Sequence, residues 1–524
     1  MRLLVATLAF ITVGSALAES AKPNIVFVLS DDHRHDALGI AGHPLLKTPN
    51  IDRIGKEGAW LRSTYGATPL CAPSRAAFLT GQYGHHSNFR TNQGPWPEKL
   101  PPTILTVAKD AGYRTAYIGK KHLYNTDEPL PGVDRWVSVL NQGRYVNPEF
   151  NIDGKRERVE GYNGDLVTGY AVDFIKENKD KPFAIVIAYK EAHSPQTPPP
   201  RFAKAFEDAD IKLPESFNED KSNKPAYFNA PNTFPNSGWD DSKQAPGNAD
   251  RLTREELAVK KIKNYYRCVL ALDDYVGKLF GALEETKALD NTIFVFAGDN
   301  GYFLGEHGRF EKGTPHEESA RIPLVIRYPK GIKAGTVSDS LVLNIDLAPT
   351  LFDLAGLTAP SDIDGKSLRP IFEAKDSAAP QGWRTEIYTE WQGRQHAITP
   401  GTEGYVLSPQ ARAAARNNRP NQGRQQQERG GPPTWRSIRD GQFKYTVYFN
   451  NDLSELYDLK ADPKEAKNLV NDPTYKDKVL ELHKRLLGLA ESTKDPLREF
   501  IPAAPSTEKQ AAGDDKPRGT GNES

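Results

Sequence analysis

The chain has 524 residues, 38% of them hydrophobic and 26% charged, a balance that excludes a disordered chain or a bundle of membrane spans. Lysine plus arginine equals aspartate plus glutamate at 68 each, and no long basic run offers a phosphate-tracking surface, so nucleic acid is not an expected partner. Two cysteines, Cys71 and Cys268, stand far apart with no CxxC, which excludes a disulfide framework and a thiolate zinc site.

In chain order, the first element is a leader. Arg2, an apolar run from Leu3 to Val13 and small residues at Ala16 and Ala18 predict a secretory signal peptide over residues 1–18, cleaved after Ala18. The apolar run is short for a bilayer span, so a periplasmic or secreted chain with no membrane attachment after cleavage is expected.

Short apolar runs at Ile25 to Leu29, Thr115 to Ile118, Phe183 to Ala188 and Ile293 to Ala297 have the pattern of fully buried parallel strands. Helical spacing lies between them, at Ile104 to Ala111, Leu166 to Glu177 and Glu255 to Glu285. Alternating strand and helix predict an α/β fold with a large, mostly parallel central sheet flanked by helices. Residues 197–250, rich in Pro, Asn, Asp and Ser, predict a long irregular excursion of the kind that covers active sites. From about Lys375 the pattern changes to strands at Thr385 to Trp391, Phe443 to Phe449 and Leu456 to Leu459 and a helix from Tyr475 to Glu491. The expected domains are therefore 19–375, catalytic, and 376–502, a smaller α+β unit. Within the latter, residues 401–433 have almost no apolar anchor; they and the tail 503–524 are expected to be mobile.

Open parallel sheets bind ligands beyond the carboxyl ends of their strands. Each predicted strand here runs into polar residues: Asp31 and Asp32, then Lys120 and His122, then Lys190 and His193, then Asp299 and Asn300. Acidic residues after strands often cap the next helix, but four such exits together predict a site. The oxygen donors Asp31, Asp32, Asp299 and Asn300 suit a hard cation, calcium or magnesium, better than zinc. No HExxH or GxGxxG occurs, and Gly365-Lys366-Ser367 lacks the glycine that a P-loop needs at position 360.

The most informative stretch is Pro69-Leu70-Cys71-Ala72-Pro73-Ser74-Arg75-Ala76-Ala77-Phe78-Leu79-Thr80-Gly81. Pro73 predicts a first helical turn and Gly81 a helix end, which places Cys71 just before an N-terminus that attracts anions. A lone cysteine is ordinarily a small buried hydrophobe, and only this context makes it a candidate. With C-x-P-S-R followed by an apolar pair and Thr-Gly, the sequence resembles the type I, formylglycine-dependent sulfatases of the alkaline phosphatase superfamily. The resemblance extends over Asn24 to Asp32, Thr48 to Gly58 (TPNIDRIGKEG), Gly119 to His122 (GKKH), Gly298 to Lys312 (GDNGYFLGEHGRFEK) and Leu456 to Leu469 (LYDLKADPKEAKNL), in family order.

The resemblance implies an alkaline phosphatase-like fold and a sulfuric ester hydrolase. It implies that Cys71 is oxidised to formylglycine by a maturation enzyme, and that one oxygen of the hydrated aldehyde attacks sulfur while the other hydroxyl later expels sulfate. One calcium ion would be held by Asp31, Asp32, Asp299 and Asn300, with residue 71 completing the shell, and Asp299 would accept the nucleophile's proton. Arg75, Lys120 and Lys312 match the cations around the sulfate, His193 the acid that protonates the leaving alcohol, and His122 the residue that helps break the hemiacetal. Ala192, before that histidine, replaces the proline of many relatives. Export suggests a sulfated carbohydrate as substrate. Two other readings stand beside this one: a formylglycine-dependent phosphonate or phosphate ester hydrolase, and a non-catalytic, calcium-stabilised glycan-binding protein. His307 and His316 lie near the site in sequence, with packing and substrate contact equally open; His396 and Trp391 carry weaker signals.

Overall fold

The structure is a computed structural model describing residues 22–94, 96–124, 127–229, 252–393, 432–449 and 453–505. The leader expected at 1–18, the insert from 401 to 431, the tail from 506 onward and His396 lie outside the described residues. No helix among the described residues is long and apolar enough to cross a membrane.

Among the described residues, seventeen strands form three sheets. In chain order they are β1 (Asn24–Ser30), β2 (Ala59–Leu61), β3 (Thr64–Tyr65), β4 (Arg114–Lys120), β5 (Arg135–Val139), β6 (Glu149–Ile152), β7 (Lys155–Arg158), β8 (Phe183–Ala188), β9 (Thr292–Gly298), β10 (Arg321–Ile322), β11 (Leu324–Arg327), β12 (Thr336–Ser338), β13 (Val342–Leu343), β14 (Glu386–Trp391), β15 (Trp435–Asp440), β16 (Phe443–Tyr448) and β17 (Glu455–Asp458). The ten-stranded sheet has the order β12-β2-β11-β9-β1-β8-β4-β5-β6-β7, and the run from β9 to β5 is parallel. The four runs read from sequence as buried strands are the four central ones, extended by a residue or two at their ends except β8. Every residue of β1, β8 and β9 is buried, because helices cover both faces. Two apolar clusters mark those faces, one containing Phe27, Phe78 and Leu351, the other Val28, Phe174 and Leu279.

The register brings the site together. Ser30 of β1 lies beside Gly298 of β9, and Leu29 beside Ala188 of β8, which in turn lies beside Gly119 of β4. The residues that follow these positions therefore leave the sheet at one level on adjacent strands.

The helix Arg254–Glu285 packs on the second face and begins at a capping box in which Thr253 Oγ1 accepts from the Glu256 amide at 3.1 Å and Glu256 Oε2 accepts from the Thr253 amide at 2.7 Å. Residues 197–229 run irregularly through short 3-10 turns, as expected, and 230–251 lie outside the described residues. Toward the C-terminus, β14-β15-β16-β17 form an antiparallel sheet covered by the helix Lys476–Ser492. Its core is continuous with the large unit, since Ile387, Ile438 and Leu482 cluster with Tyr65, Ala77 and Tyr83. Strand β15 was not expected, because its sequence WRSIRD buries Arg436 against Asp495, with Nε donating at 2.5 Å.

Candidate active site

The helix Cys71–Thr80 holds Pro73 in its first turn, as expected, but starts one residue earlier than expected. Leu70 is extended (φ −150°, ψ 143°), and Cys71 is the first helical residue rather than the one before the helix. Gly81 ends it in the left-handed region at φ 72°, as expected. All ten residues are buried, so Cys71 and Arg75, one turn apart, both face the strand ends from the interior.

The expected residues converge. Oxygens of Asp31, Asp32 and Asp299 lie within 4.8 Å of one another, as do ligand atoms of Asp31, Cys71 and His193. Cations thread between the carboxylates. Lys120 Nζ donates to Asp31 Oδ2, and Lys312 Nζ donates to Asp32 Oδ1 and, at 2.9 Å, to Cys71 Sγ. Arg75 Nε donates to Asp299 Oδ2 at 2.9 Å, and its NH1 donates to the Lys120 carbonyl at 2.6 Å, tying the helix to the end of β4. The Cys71 thiol itself donates to Asp31 Oδ1 at 3.5 Å.

Backbone amides complete the frame. Asp299 Oδ1 accepts from the amides of Asp32 at 3.0 Å and Asn300 at 2.8 Å, locking β1 to β9 at the site. Asn300 Nδ2 donates to Asp32 Oδ1 and to the Gly301 carbonyl, both at 2.8 Å, while its Oδ1 is buried with no hydrogen-bond partner. Three converging carboxylates and an orphaned amide oxygen are the donor set of a hard divalent cation, so these residues fit calcium.

The two histidines are held in specific tautomers. His193 Nδ1 pairs with the Ser194 carbonyl at 2.7 Å and therefore carries hydrogen, leaving Nε2 to face Asp32 Oδ2 at 3.9 Å. His122 Nε2 lies 3.3 Å from the Gln142 amide nitrogen, which donates to it, and its Nδ1 is buried without a partner. Burial and the surrounding lysines hold both imidazoles well below their ordinary value.

The carboxylates differ sharply. Burial raises Asp31, but Lys120, His193, Arg75 and Lys312 outweigh it and hold the group well below the usual range. In Asp299, burial and the charge of Asp31 prevail over Arg75 and push the carboxyl up to about 6. Burial and Asp31 push the Cys71 thiol up to about 12. Burial, helped by Lys120, brings the Lys190 ammonium down to about 8.

Several supporting groups carried no sequence signal. Gln142 reaches His122 from beyond β5; Tyr145 Oη donates to the His193 carbonyl at 2.5 Å; and Tyr265 Oη donates to the Asp32 carbonyl at 2.8 Å. Lys261 Nζ donates to Ser194 Oγ at 3.2 Å and to Gln196 Oε1 at 2.9 Å, fastening the loop that bears His193. His316 and His307 belong to a separate buried cluster: His316 Nε2 lies 3.4 Å from Glu455 Oε1 and His307 Nδ1 lies 2.6 Å from Glu219 Oε1. Trp391 Nε1 donates to the Pro432 carbonyl at 3.2 Å. A cavity of about 630 Å³ opens nearby between Arg34, His43, Tyr266 and Glu306, but Cys71, Lys120 and Lys312 do not line it.

Comparison with known proteins agrees with this geometry. The Sulfatase family model matches residues 23–357, and a model described as N-sulphoglucosamine sulphohydrolase, C-terminal, matches 432–492. An N-acetylglucosamine-6-O-sulfatase of Bacteroides thetaiotaomicron is 33% identical over 92% of this chain and 88% of its own length. The human N-acetylglucosamine-6-sulfatase is 32% identical over 74% of this chain and 70% of its own. A solved structure described as a complex with its substrate D-glucosamine-2-N,6-O-disulfate superposes with a TM-score of 0.75 at 31% identity, covering 90% of this chain and 98% of that one. A phosphonate monoester hydrolase of Agrobacterium radiobacter shares the fold, with a TM-score of 0.70 at 22% identity over 90% of this chain and 96% of its own. A family match that takes in every strand exit of the site, together with full-length relatives, places the chain in the sulfatase family and makes it a sulfuric ester hydrolase.

Proposed function

We propose that this sulfatase removes sulfate from sulfated glucosamine units of a glycan, with residue 71 acting as formylglycine beside one calcium ion. The observation that carries the reading is Cys71 at the first position of a buried helix, with Lys312 Nζ at 2.9 Å and Asp31 and His193 within ligand distance. The named substrates of the glucosamine sulfatases it resembles support the choice of sugar.

Asp31, Asp32, Asp299 and Asn300 would hold the calcium, which supplies Lewis-acid polarisation of a sulfate oxygen. Formylglycine at residue 71, made by a maturation enzyme, supplies a hydrated aldehyde as nucleophile. Arg75, Lys120 and Lys312 offset the negative charge of the transferring group from fixed positions, since each is braced on a carboxylate. Asp299 takes the proton of the attacking hydroxyl. His193, its Nδ1–H donated to the Ser194 carbonyl, turns Nε2 toward the leaving alcohol and protonates it from the imidazolium form, which the negative charge of a bound sulfate ester favours. His122, held by Gln142, takes the proton whose removal releases sulfate. Export through the leader at residues 1–18 would deliver the enzyme to extracytoplasmic glycans.

Sulfate release from a panel of glucosamine sulfates, run beside matched aryl sulfates and aryl phosphates, tests this. The expected result is turnover of sulfated glucosamine with little phosphate release. Faster phosphate than sulfate release from matched aryl esters would make it a phosphoester hydrolase on a sulfatase scaffold.

A further inference from the structure

Three of the four cationic side chains at the sheet edge are matched to an anion within the protein. Arg75 rests on Asp299, Lys120 on Asp31, and Lys312 on Asp32. Lys190 is the exception. It leaves the end of β8, between the strands that deliver Asp31 and Lys120, and is only 3% exposed. Among the described residues its ammonium makes no hydrogen bond or ion pair, and it lies over the face of the Tyr145 ring, 5.0 Å from the centroid.

The adjacent carboxylate forms no ion pair with it among the described residues. Both oxygens of Glu191 are buried without a hydrogen-bond partner, so the two neighbouring side chains do not pair. A buried ammonium without a paired carboxylate is costly: Lys120 repels it, while Asp31, Glu191 and Asp32 attract it without forming an ion pair. Lys190 and His193 share one turn, in which the His193 amide donates to the Lys190 carbonyl at 2.9 Å, and β8 lies beside β4, which delivers Lys120. Tyr145 fixes that position, since its hydroxyl reaches the His193 carbonyl at 2.5 Å and the Lys190 carbonyl at 3.4 Å.

We propose that Lys190 is a substrate-contacting residue whose ammonium binds an oxygen of the sulfate ester on the side that faces His193. The assignment rests on the sulfatase reading and adds to it a fourth cation, the one that the resting protein leaves without a paired carboxylate among the described residues. A sulfate monoester supplies the missing charge; the product, inorganic sulfate, supplies it equally and is the simpler probe.

The test is calorimetric titration of inorganic sulfate into the calcium-loaded wild type and into Lys190→Met and Lys190→Gln, each checked for folding by thermal melting, with Lys190→Arg as the conservative control. Loss of one charged hydrogen bond predicts sulfate binding weakened about 10- to 100-fold in the Met and Gln variants and largely restored in the Arg variant. A lysine that only packs beneath Tyr145 would lower the melting temperature and leave sulfate binding alone. Binding within about twofold of wild type in either folded uncharged variant overturns the assignment. Aryl sulfate hydrolysis by the wild type is measured in parallel: a wild type that binds sulfate but hydrolyses no sulfate ester contradicts the enzymatic reading instead.

Discussion

At Cys71 the surroundings oppose thiolate chemistry. A helix N-terminus and a nearby lysine ordinarily lower a thiol's pKa, yet burial and Asp31 prevail and raise this one to about 12. An unmodified thiol here is a poor nucleophile at neutral pH, in keeping with a residue that acts only after conversion. Cys71→Ala is therefore expected to keep its melting temperature and sulfate affinity close to wild type while turnover falls about a thousandfold or more; turnover retained within about tenfold in purified protein would remove residue 71 from the chemistry. His193 makes a different prediction, because a general acid matters in proportion to how badly the leaving group needs a proton. His193→Ala should cost about 10²- to 10⁴-fold on glucosamine sulfates and far less on nitrophenyl sulfate. Equal losses on the two substrates would assign His193 to binding. Asp31, Asp32, Asp299, Asn300, Arg75, Lys120, Lys312, His122 and His193 were all legible as residue types after strands or in motifs. The groups that orient them were not: Gln142, Tyr145, Tyr265 and Lys261 reach the site from elements whose approach depends on tertiary packing.

Legibility at the level of elements followed burial. The runs of β1, β8 and β9 read plainly because each is apolar throughout and buried on both faces. The edge strand β7, Lys-Arg-Glu-Arg, is fully exposed and shows no apolar alternation; β15 hides because a buried arginine interrupts its pattern. The one-residue difference at Cys71 has a similar origin, since an extended apolar Leu70 in place of a side-chain cap leaves no sequence mark for the helix start. One element carries a sharp mechanical constraint. Gly119, at φ 111°, sits where an added Cβ would lie 2.0 Å from the Ala188 carbonyl oxygen, directly before Lys120. Gly119→Ala must push β4 from β8 and displace Lys120 with it. We expect a loss of more than about 1 kcal/mol in denaturant unfolding together with weaker sulfate binding; an Ala variant with wild-type values of both would contradict the described packing.

Across the whole molecule, the small sheet is joined to the large unit through buried charge. Within the small unit Arg436 Nε and Tyr388 Oη both donate to Asp495 Oδ2, and the link to the large unit is His85, whose Nδ1 lies 2.8 Å from Glu390 Oε2 and whose Nε2 meets the Thr493 carbonyl at 2.9 Å. Burial pulls the His85 imidazolium down, but Glu390 and Asp495 outweigh it and the net shift is upward from 6.5. Glu390 and Asp495 shift the opposite way: burial raises them, and His85 and Arg436 win, holding both below the ordinary carboxylate range. A histidine raised in the folded state contributes stability that is fully present below its unfolded pKa of about 6.5 and lost as pH rises through the folded value. Depressed carboxylates contribute above their unfolded values of about 4 and lose it as pH falls. The joint is accordingly strongest between roughly pH 4.5 and 6.5. The gap in melting temperature between wild type and His85→Gln should be widest in that window and narrow toward alkaline pH; a gap independent of pH would mean that His85 serves the joint as a neutral ring.

The account depends most on what residue 71 becomes. Peptide mass spectrometry of the segment containing Cys71, from protein made alongside a formylglycine-generating enzyme and split between active and inactive fractions, addresses this directly. The account predicts an aldehyde in place of the thiol, with sulfate release from glucosamine sulfates proportional to its fraction. An intact thiol in protein that nonetheless hydrolyses sulfate esters at full rate would contradict it.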